Sequence, residues 1–409
     1  MPQSLSNFSN ALKEIYEPGL RNAVNNSNVI WAEAIKNSED LVGEEAVWSI
    51  HSGRSASTGA RAELGTLPTA DRQRHIKARK NLTFQYHTIK VSGPAKHLTR
   101  NDEAAFARAL EAEVKGGEKD MKNDLARQTV GQVVTVNSVA STGVIATLSA
   151  DPGTGTTITM ANEPESVIRH FFPGMKISFI APADGTVRTQ PTGGYEVVST
   201  NKTAKTVEIA SAADAGIAST DVVVRFGNLN AEIDGLRHII ASSGTYAGID
   251  PSTSPVWASQ AVGSSSTGIS EVLIDEAIEA VETDGSGDTP ELFVCEHVQR
   301  RKLASLLQAQ KRYDGREMTL TSGWKGLQLA RGVLVADRYV PTTDIFGIYG
   351  PELQKFVGLD FQWDDDDGDV FYKALDGSDA VEARFKGYVQ LAGTQRSSHV
   401  RVTVSEPSF

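Results

Sequence analysis

The side chains with the most chemical reach in this chain are its acids, its eight histidines and its single cysteine, Cys295. The densest acidic run, Asp364-Asp365-Asp366-Asp367-Gly368-Asp369, alternates oxygens around a glycine as calcium loops do. It lacks the glutamate that closes such a loop, and an acidic turn is most simply solvated, so no metal site is assigned. No two histidines stand four apart, which removes the zinc-protease helix pattern. Cys295 ends the apolar run Leu292-Phe293-Val294, where a thiol packs rather than attacks, and one cysteine allows neither an intrachain disulfide nor a thiolate cluster. The chain has no phosphate-cradling glycine loop ending in Lys-Ser or Lys-Thr, no Gly-x-Gly-x-x-Gly and no Gly-x-Ser-x-Gly elbow. A hydrolase site would have to be assembled from dispersed acids such as Asp337, Asp360 and Asp364. That is the alternative from another function class. The main expectation is a protein without catalytic, cofactor or metal site.

The remaining charge is informative by its placement. A net charge of -11 repels nucleic acid over most of the surface, because duplex binding relies on Lys and Arg neutralising phosphates. Yet Arg54, Arg61, Arg72, Arg74, Lys77, Arg79, Lys80 and Lys90 crowd into one segment against only Glu63 and Asp71, while Val256 to Glu291 carries eight acids and no Lys or Arg. A basic strip in an acidic chain suits docking onto acidic copies of itself. Arg54, Arg61, Arg72, Arg74, Lys77, Arg79 and Lys80 are therefore the candidate inter-subunit contacts; a solvated loop is the plainer reading.

The elements that must position these charges fall into several parts, as expected of 409 residues, too many for one ordinary core. Residues 11–40 hold two helix-compatible fragments separated by Pro18-Gly19 and an Asn-rich stretch, an arm that buries little alone and calls for neighbouring subunits. Glu45 to His51 reads as a strand and His75 to Val91 as a long returning strand, a two-stranded arm that is marginal alone. Thr99 to Gln128 reads as a helix, with Thr99 and Asp102 as its cap and Gly116-Gly117 as a weak point. Gly131 to Gly227 carries short Val, Ile and Thr-rich runs separated by turn signals, an antiparallel barrel or sandwich inserted into the chain. Residues 228–343 alternate helix and strand, and strands return from 344 to 409. The class is α+β. No apolar run reaches bilayer length, and Met1-Pro2-Gln3-Ser4 has no signal-peptide character, so a cytoplasmic origin is expected.

This order of parts resembles the major capsid proteins of tailed bacteriophages, the family with the Hong Kong phage 97 type fold. Gly59 to Pro68 (GARAELGTLP) looks like the family's extended-loop tip, and Gly244 to Asp250 followed by Trp257 looks like the start of its axial domain. Glu296 to Gln310 followed by Gly323 to Gly326 and Gly332 to Asp337 is also similar. The resemblance implies an N-terminal arm (1–43), an extended β-hairpin loop (44–98), a spine helix of the peripheral domain (99–130), an inserted β-domain (131–227), an axial α/β domain (228–343) and returning strands (344–409). It further implies hexamers and pentamers closing an icosahedral shell around packaged phage DNA, held without sequence-specific binding. Assembly would occur in the bacterial cytoplasm with portal, scaffolding and decoration proteins as partners, and no membrane. No scaffolding-like helix precedes the arm, which implies a separate scaffolding protein or none. Lys77, Lys80 and Lys90 are lysines that a loop crosslink would use, with no partner assigned. An encapsulin-like compartment shares the implied fold.

Overall fold

The computed structural model describes residues 24, 28–92, 103–309, 317–319, 325–329, 331–365, 370–373 and 378–406. The chain is α+β. One five-stranded sheet is built around Ala380–Gly393, whose alternate residues Ala383, Phe385, Val389 and Leu391 are buried. It pairs antiparallel with Thr83–Ser92 on one side and Leu353–Trp363 on the other. Partners such as Thr83 and Val389 lie 306 residues apart, so this sheet closes a long loop of chain. The helix Glu103–Gln128 packs Val114, Met121 and Leu125 into the same core as Ile89 of Thr83–Ser92. At 1.5 Å per residue it is about 39 Å long. The expected cap, Thr99 and Asp102, lies outside the described residues.

Gly116-Gly117 do not break this helix, which runs through both. They differ in setting. Among the described residues nothing lies near a Cβ built at Gly116, whereas one at Gly117 would be driven into the His87 ring of the adjacent strand. Gly116→Ala is expected to stabilise the chain by about 0.5–1 kcal/mol, the entropy a mid-helix glycine costs. Gly117→Ala should instead destabilise it. Urea unfolding of the two variants checks this, and equal effects would remove the close-approach explanation.

Two expectations for the first hundred residues need correction. The second half of the arm is held by its own chain: Val29, Ile30 and Trp31 are fully buried, each such burial worth about 1.5–3 kcal/mol. Asn28 caps the short helix Val29–Glu33 by accepting from Trp31 N at 2.8 Å, and its amide reaches Ala126 O at 3.2 Å and Thr129 Oγ1. Ile35–Asn37 then adds in parallel to Leu353–Trp363, and Lys355 Nζ reaches Trp31 O at 2.8 Å. The long returning strand is also two strands, Arg74–Asn81 and Thr83–Ser92, in different sheets. Buried Leu82 is the pivot: its N–H bonds Glu44 O at 2.8 Å, while Thr83 Oγ1 bonds Val389 O at 2.7 Å.

A second sheet takes all its strands from between Gln132–Val136 and Val222–Arg225, in the order Gln132–Val136, Val139–Thr147, Val222–Arg225, Lys176–Ile180, Tyr195–Asn201, Thr206–Ile209, Thr157–Thr159. Every pairing is antiparallel. Ser149 N bonds Thr159 O at 3.0 Å, curling the last strand back toward the second into a barrel. The period-2 pattern places Val223 in the interior with Ile158, Phe179 and Val207, and Val222 and Val224 in a separate cluster with Val136 and Ile180. The chain enters and leaves this barrel at one point. Leu236 N bonds Thr129 O at 2.8 Å, and a side chain at Gly235 would strike the Gly131 backbone.

The third main sheet is mixed, ordered Gln260–Gly263, Val400–Thr403, Asp344–Ile348, Leu292–Cys295, Gly332–Ala336, Lys325–Leu329, Glu317–Thr319. Helix Glu271–Asp284, capped by Ser270 Oγ on Leu273 N at 3.1 Å, and helix His297–Ala309 share its core. Cys295 is fully buried there, and burial pushes its thiol up, away from nucleophilic use. His399, also fully buried, accepts from Tyr349 N at 3.3 Å, and burial holds its pKa down at about 4. His170, at the barrel edge, is held at about 3 by burial and by Arg127, Arg169, Arg237 and Arg338.

These two histidines predict acid sensitivity. The unfolded chain takes up protons at His near pH 6.5 while the folded one refuses them, so stability falls as pH drops from about 6.5 toward the folded values. Between pH 7 and pH 5 the loss is about 2 kcal/mol for each histidine. Urea unfolding at the two pH values measures it, and a flat profile would contradict the buried neutral state.

Candidate assembly surface

The basic segment forms an antiparallel hairpin, Glu45–Gly53 with Arg74–Asn81, in which Trp48 faces Ala78 and Ile50 faces Ile76. Its base is anchored. Ala46, Trp48, Ile50 and Ala78 are buried, Trp48 stacks on Phe356 at 5.5 Å, and its Nε1 donates to Thr394 O at 3.0 Å. Arg79 N bonds Ala247 O at 3.1 Å, fixing the second strand to the segment that opens the mixed-sheet region.

Beyond His51 and His75 the hairpin leaves the core. Residues 54–73 have no helix or strand and none is buried. Loops this long without secondary structure in a packed chain are usually functional. Leu64 and Leu67 sit at its end, 103% and 79% exposed. Leu64 adopts a left-handed conformation, which a branched side chain disfavours. The loop is nevertheless stitched. Arg61 donates to Thr66 O at 2.9 Å and Ala60 O at 2.8 Å, and Asp71 accepts from Ala56 N at 2.9 Å and Arg72 N at 2.8 Å. Those two amides hold the Asp71 carboxyl below its ordinary range.

The candidate contact residues divide into three groups. Arg54, Arg72, Arg74 and Lys77 are exposed and, among the described residues, make no ion pair. Arg61 is spent on loop carbonyls, and Arg79 meets Glu45 at 3.3 Å on the surface, a pairing worth little. Lys80 is placed differently. It shares the strand face of Ile76 and Ala78 and turns inward, 2.8 Å from fully buried Asp234 and over the Tyr246 ring at 5.3 Å. Period-2 alternation from Ala78 was the signal for this.

An acidic counterpart lies on helix Glu271–Asp284. With Leu273, Ile274, Ala277, Ile278 and Val281 inward, Asp275, Glu276 and Glu279 line the exposed side beside Val272, 75% exposed. Glu282 is taken by Arg331 and Thr289.

Sequence reasoning missed a polar node behind the hairpin. Asp234 receives His238 Nδ1 at 2.6 Å as well as Lys80; burial pushes its carboxyl up, but Lys80 and His238 outweigh it and hold the pKa below the ordinary value. Arg396, fully buried, donates to the carbonyls of Ile239, Gly244, His238 and Ser243 at 2.8–3.2 Å and lies over Tyr246 at 5.4 Å. Burial lowers its pKa to about 10. Trp257 Nε1 donates to Tyr246 O at 3.2 Å, so the Gly244 to Asp250 phrase and Trp257 meet here. Nothing local marks Arg396 or Asp234.

The three acids of the hydrolase alternative stay apart in their contacts. Asp360 pairs with Lys36 at 2.9 Å on the five-stranded sheet, and Asp364, just past the end of Leu353–Trp363, pairs with Lys386 at 2.5 Å. Asp337 follows a strand of the mixed sheet, buried, accepting from Tyr339 N at 2.9 Å, with burial raising its pKa. Asp366 to Asp369 of the acidic run lie outside the described residues.

Several solved structures match the chain along most of its length, at TM-scores below 0.5. Against the capsid asymmetric unit of cyanophage A-1(L) the identity is 11% and the TM-score 0.48, covering 93% of this chain and 94% of that one. A structure from Mycobacterium phage Bobi matches at 8% identity and TM-score 0.46, covering 92% and 90%. The holo-SrpI encapsulin complex from Synechococcus elongatus matches at 8% and 0.43, covering 94% and 91%. No family model and no curated protein matches the chain.

Proposed function

We propose that this chain is the major capsid protein of a tailed phage, assembling as hexamers and pentamers into a shell around packaged DNA. The observation that carries the reading is the hairpin: a core-anchored base presents residues 54–73 with exposed Leu64 and Leu67, beside the cations Arg54, Arg72, Arg74 and Lys77, which make no ion pair among the described residues. Apolar side chains left this exposed among the described residues are best satisfied by a second copy. The stripe Asp275, Glu276 and Glu279 supplies charge of the opposite sign on every copy. A shell that confines DNA driven in by a motor needs no nucleic-acid grip, which agrees with a net charge of -11. Portal, scaffolding and decoration proteins would be its partners, the virion its location and the host cytoplasm its place of assembly.

Electron microscopy of the purified chain tests this directly, with closed shells as the expected result. A chain that stays monomeric at high concentration and turns over a hydrolase substrate would overturn it. Nuclease-resistant DNA inside native particles separates a phage shell from an encapsulin-like compartment, which would hold protein instead.

A further inference from the structure

Away from the hairpin, a cavity of about 430 Å³ opens where the long helix, the strand Thr83–Ser92, the barrel and the loop after Gly332–Ala336 meet. Five cations line it from three parts of the fold: Lys119 and Arg127 from the helix, Arg169 and Arg225 from the barrel, and Arg338 from the loop. The carboxylates among its lining residues are Asp120 and Asp124. Asp124 is shared, meeting Arg127 at 2.9 Å and Arg225 at 3.1 Å, while Arg127 also holds Glu232 at 2.5 Å and Arg169 holds Glu296 at 2.8 Å. Lys119 and Arg338 make no ion pair among the described residues; Arg338 lies over the Tyr339 ring at 4.9 Å instead. His170 lines the same cavity, stacked on Tyr339 with centroids 6.1 Å apart, and its buried Nδ1 has no hydrogen-bond partner among the described residues. The cavity therefore gathers more positive than negative charge, together with an unused imidazole nitrogen.

We propose that this cavity binds a multivalent oxyanion of the phosphate type, which neutralises Lys119 and Arg338 and ties the loop after Gly332–Ala336 to the long helix. Charge-assisted hydrogen bonds from guanidinium groups suit such an anion, and the size of the cavity fits a small ion with water rather than a folded partner. The site stands independently of the shell reading, since it lies within one chain.

Inorganic phosphate titrated calorimetrically into the full chain, at ionic strength held constant with chloride, is expected to bind saturably at one site. The double variant Lys119→Gln, Arg338→Gln changes two exposed residues that hold no carboxylate among the described residues, so its circular dichroism should be unchanged. Its phosphate affinity should fall about tenfold or more, the loss expected for a charge-assisted hydrogen bond. His170 ring resonances should move with phosphate in the parent chain and far less in the variant. A short DNA oligonucleotide that displaces phosphate would identify backbone phosphate as the source; failure to displace it would identify the free ion. Absence of saturable binding at millimolar phosphate, or equal binding by the variant, would overturn the proposal.

Discussion

Excising residues 54–73 and joining Gly53 to Arg74 through an Asn-Gly turn is expected to abolish shell closure while leaving the subunit folded. Gly53 and Arg74 face each other in the hairpin register, so the cut falls across an existing ladder, and a two-residue turn of this type matches the twist of the flanking strands. None of the removed residues is buried, and Ala46, Trp48, Ile50 and Ala78 keep their places in the core. What is lost is Leu64, Leu67 and the preformed tongue that carries them. Sedimentation and electron microscopy should therefore show small oligomers or single subunits with native circular dichroism. Replacing Arg54, Arg72, Arg74 and Lys77 by Gln should be milder, slowing assembly and flattening its salt dependence, because rim charges govern encounter more than final affinity. If the shortened chain still closed normal shells, the hairpin would not be the assembly element and the capsid proposal would lose its principal support.

Lys80→Met should cost about 3–5 kcal/mol at neutral pH, the usual consequence of stranding one partner of a buried ion pair. The Asp234 carboxylate is fully buried, and Lys80 is the main reason that it stays ionised. Lys77→Met, three residues away on the exposed face, should change stability by less than about 0.5 kcal/mol. The pH dependence follows from the lowered Asp234 pKa. A carboxylate depressed in the folded state contributes stability above its unfolded value of about 4, and that contribution disappears as pH falls through the lower folded value. The gap between parent and Lys80→Met should accordingly narrow below pH 4. Urea unfolding of both variants across pH checks the pair, and a Lys80→Met chain as stable as Lys77→Met at pH 7 would show that Asp234 is satisfied some other way.

What the sequence by itself determined were features written in local period and punctuation. The apolar spacing through Val114, Met121 and Leu125 specifies a helix, because side chains three or four apart share one face. Alternating Val, Ile and Thr between turn signals specifies the strands of the barrel, and the apolar run to Cys295 a buried strand. The basic hairpin and the acidic helix Glu271–Asp284 are equally visible, since charge segregation needs no coordinates. Tertiary structure decided which of those features meet. It split the returning strand at Leu82, where the ladder passes from Glu45–Gly53 to Ala380–Gly393, and it gave Trp31 and Ile35–Asn37 partners on Leu353–Trp363. It made Gly117 a seat for His87 rather than a weak turn, turned Lys80 onto Asp234, and placed Arg396 among the carbonyls of residues 238–244. The physical reason is common to all of these. A strand or helix follows from neighbours within a few residues, but a buried charge or a close backbone approach is decided by groups brought from far along the chain, whose positions no local period encodes.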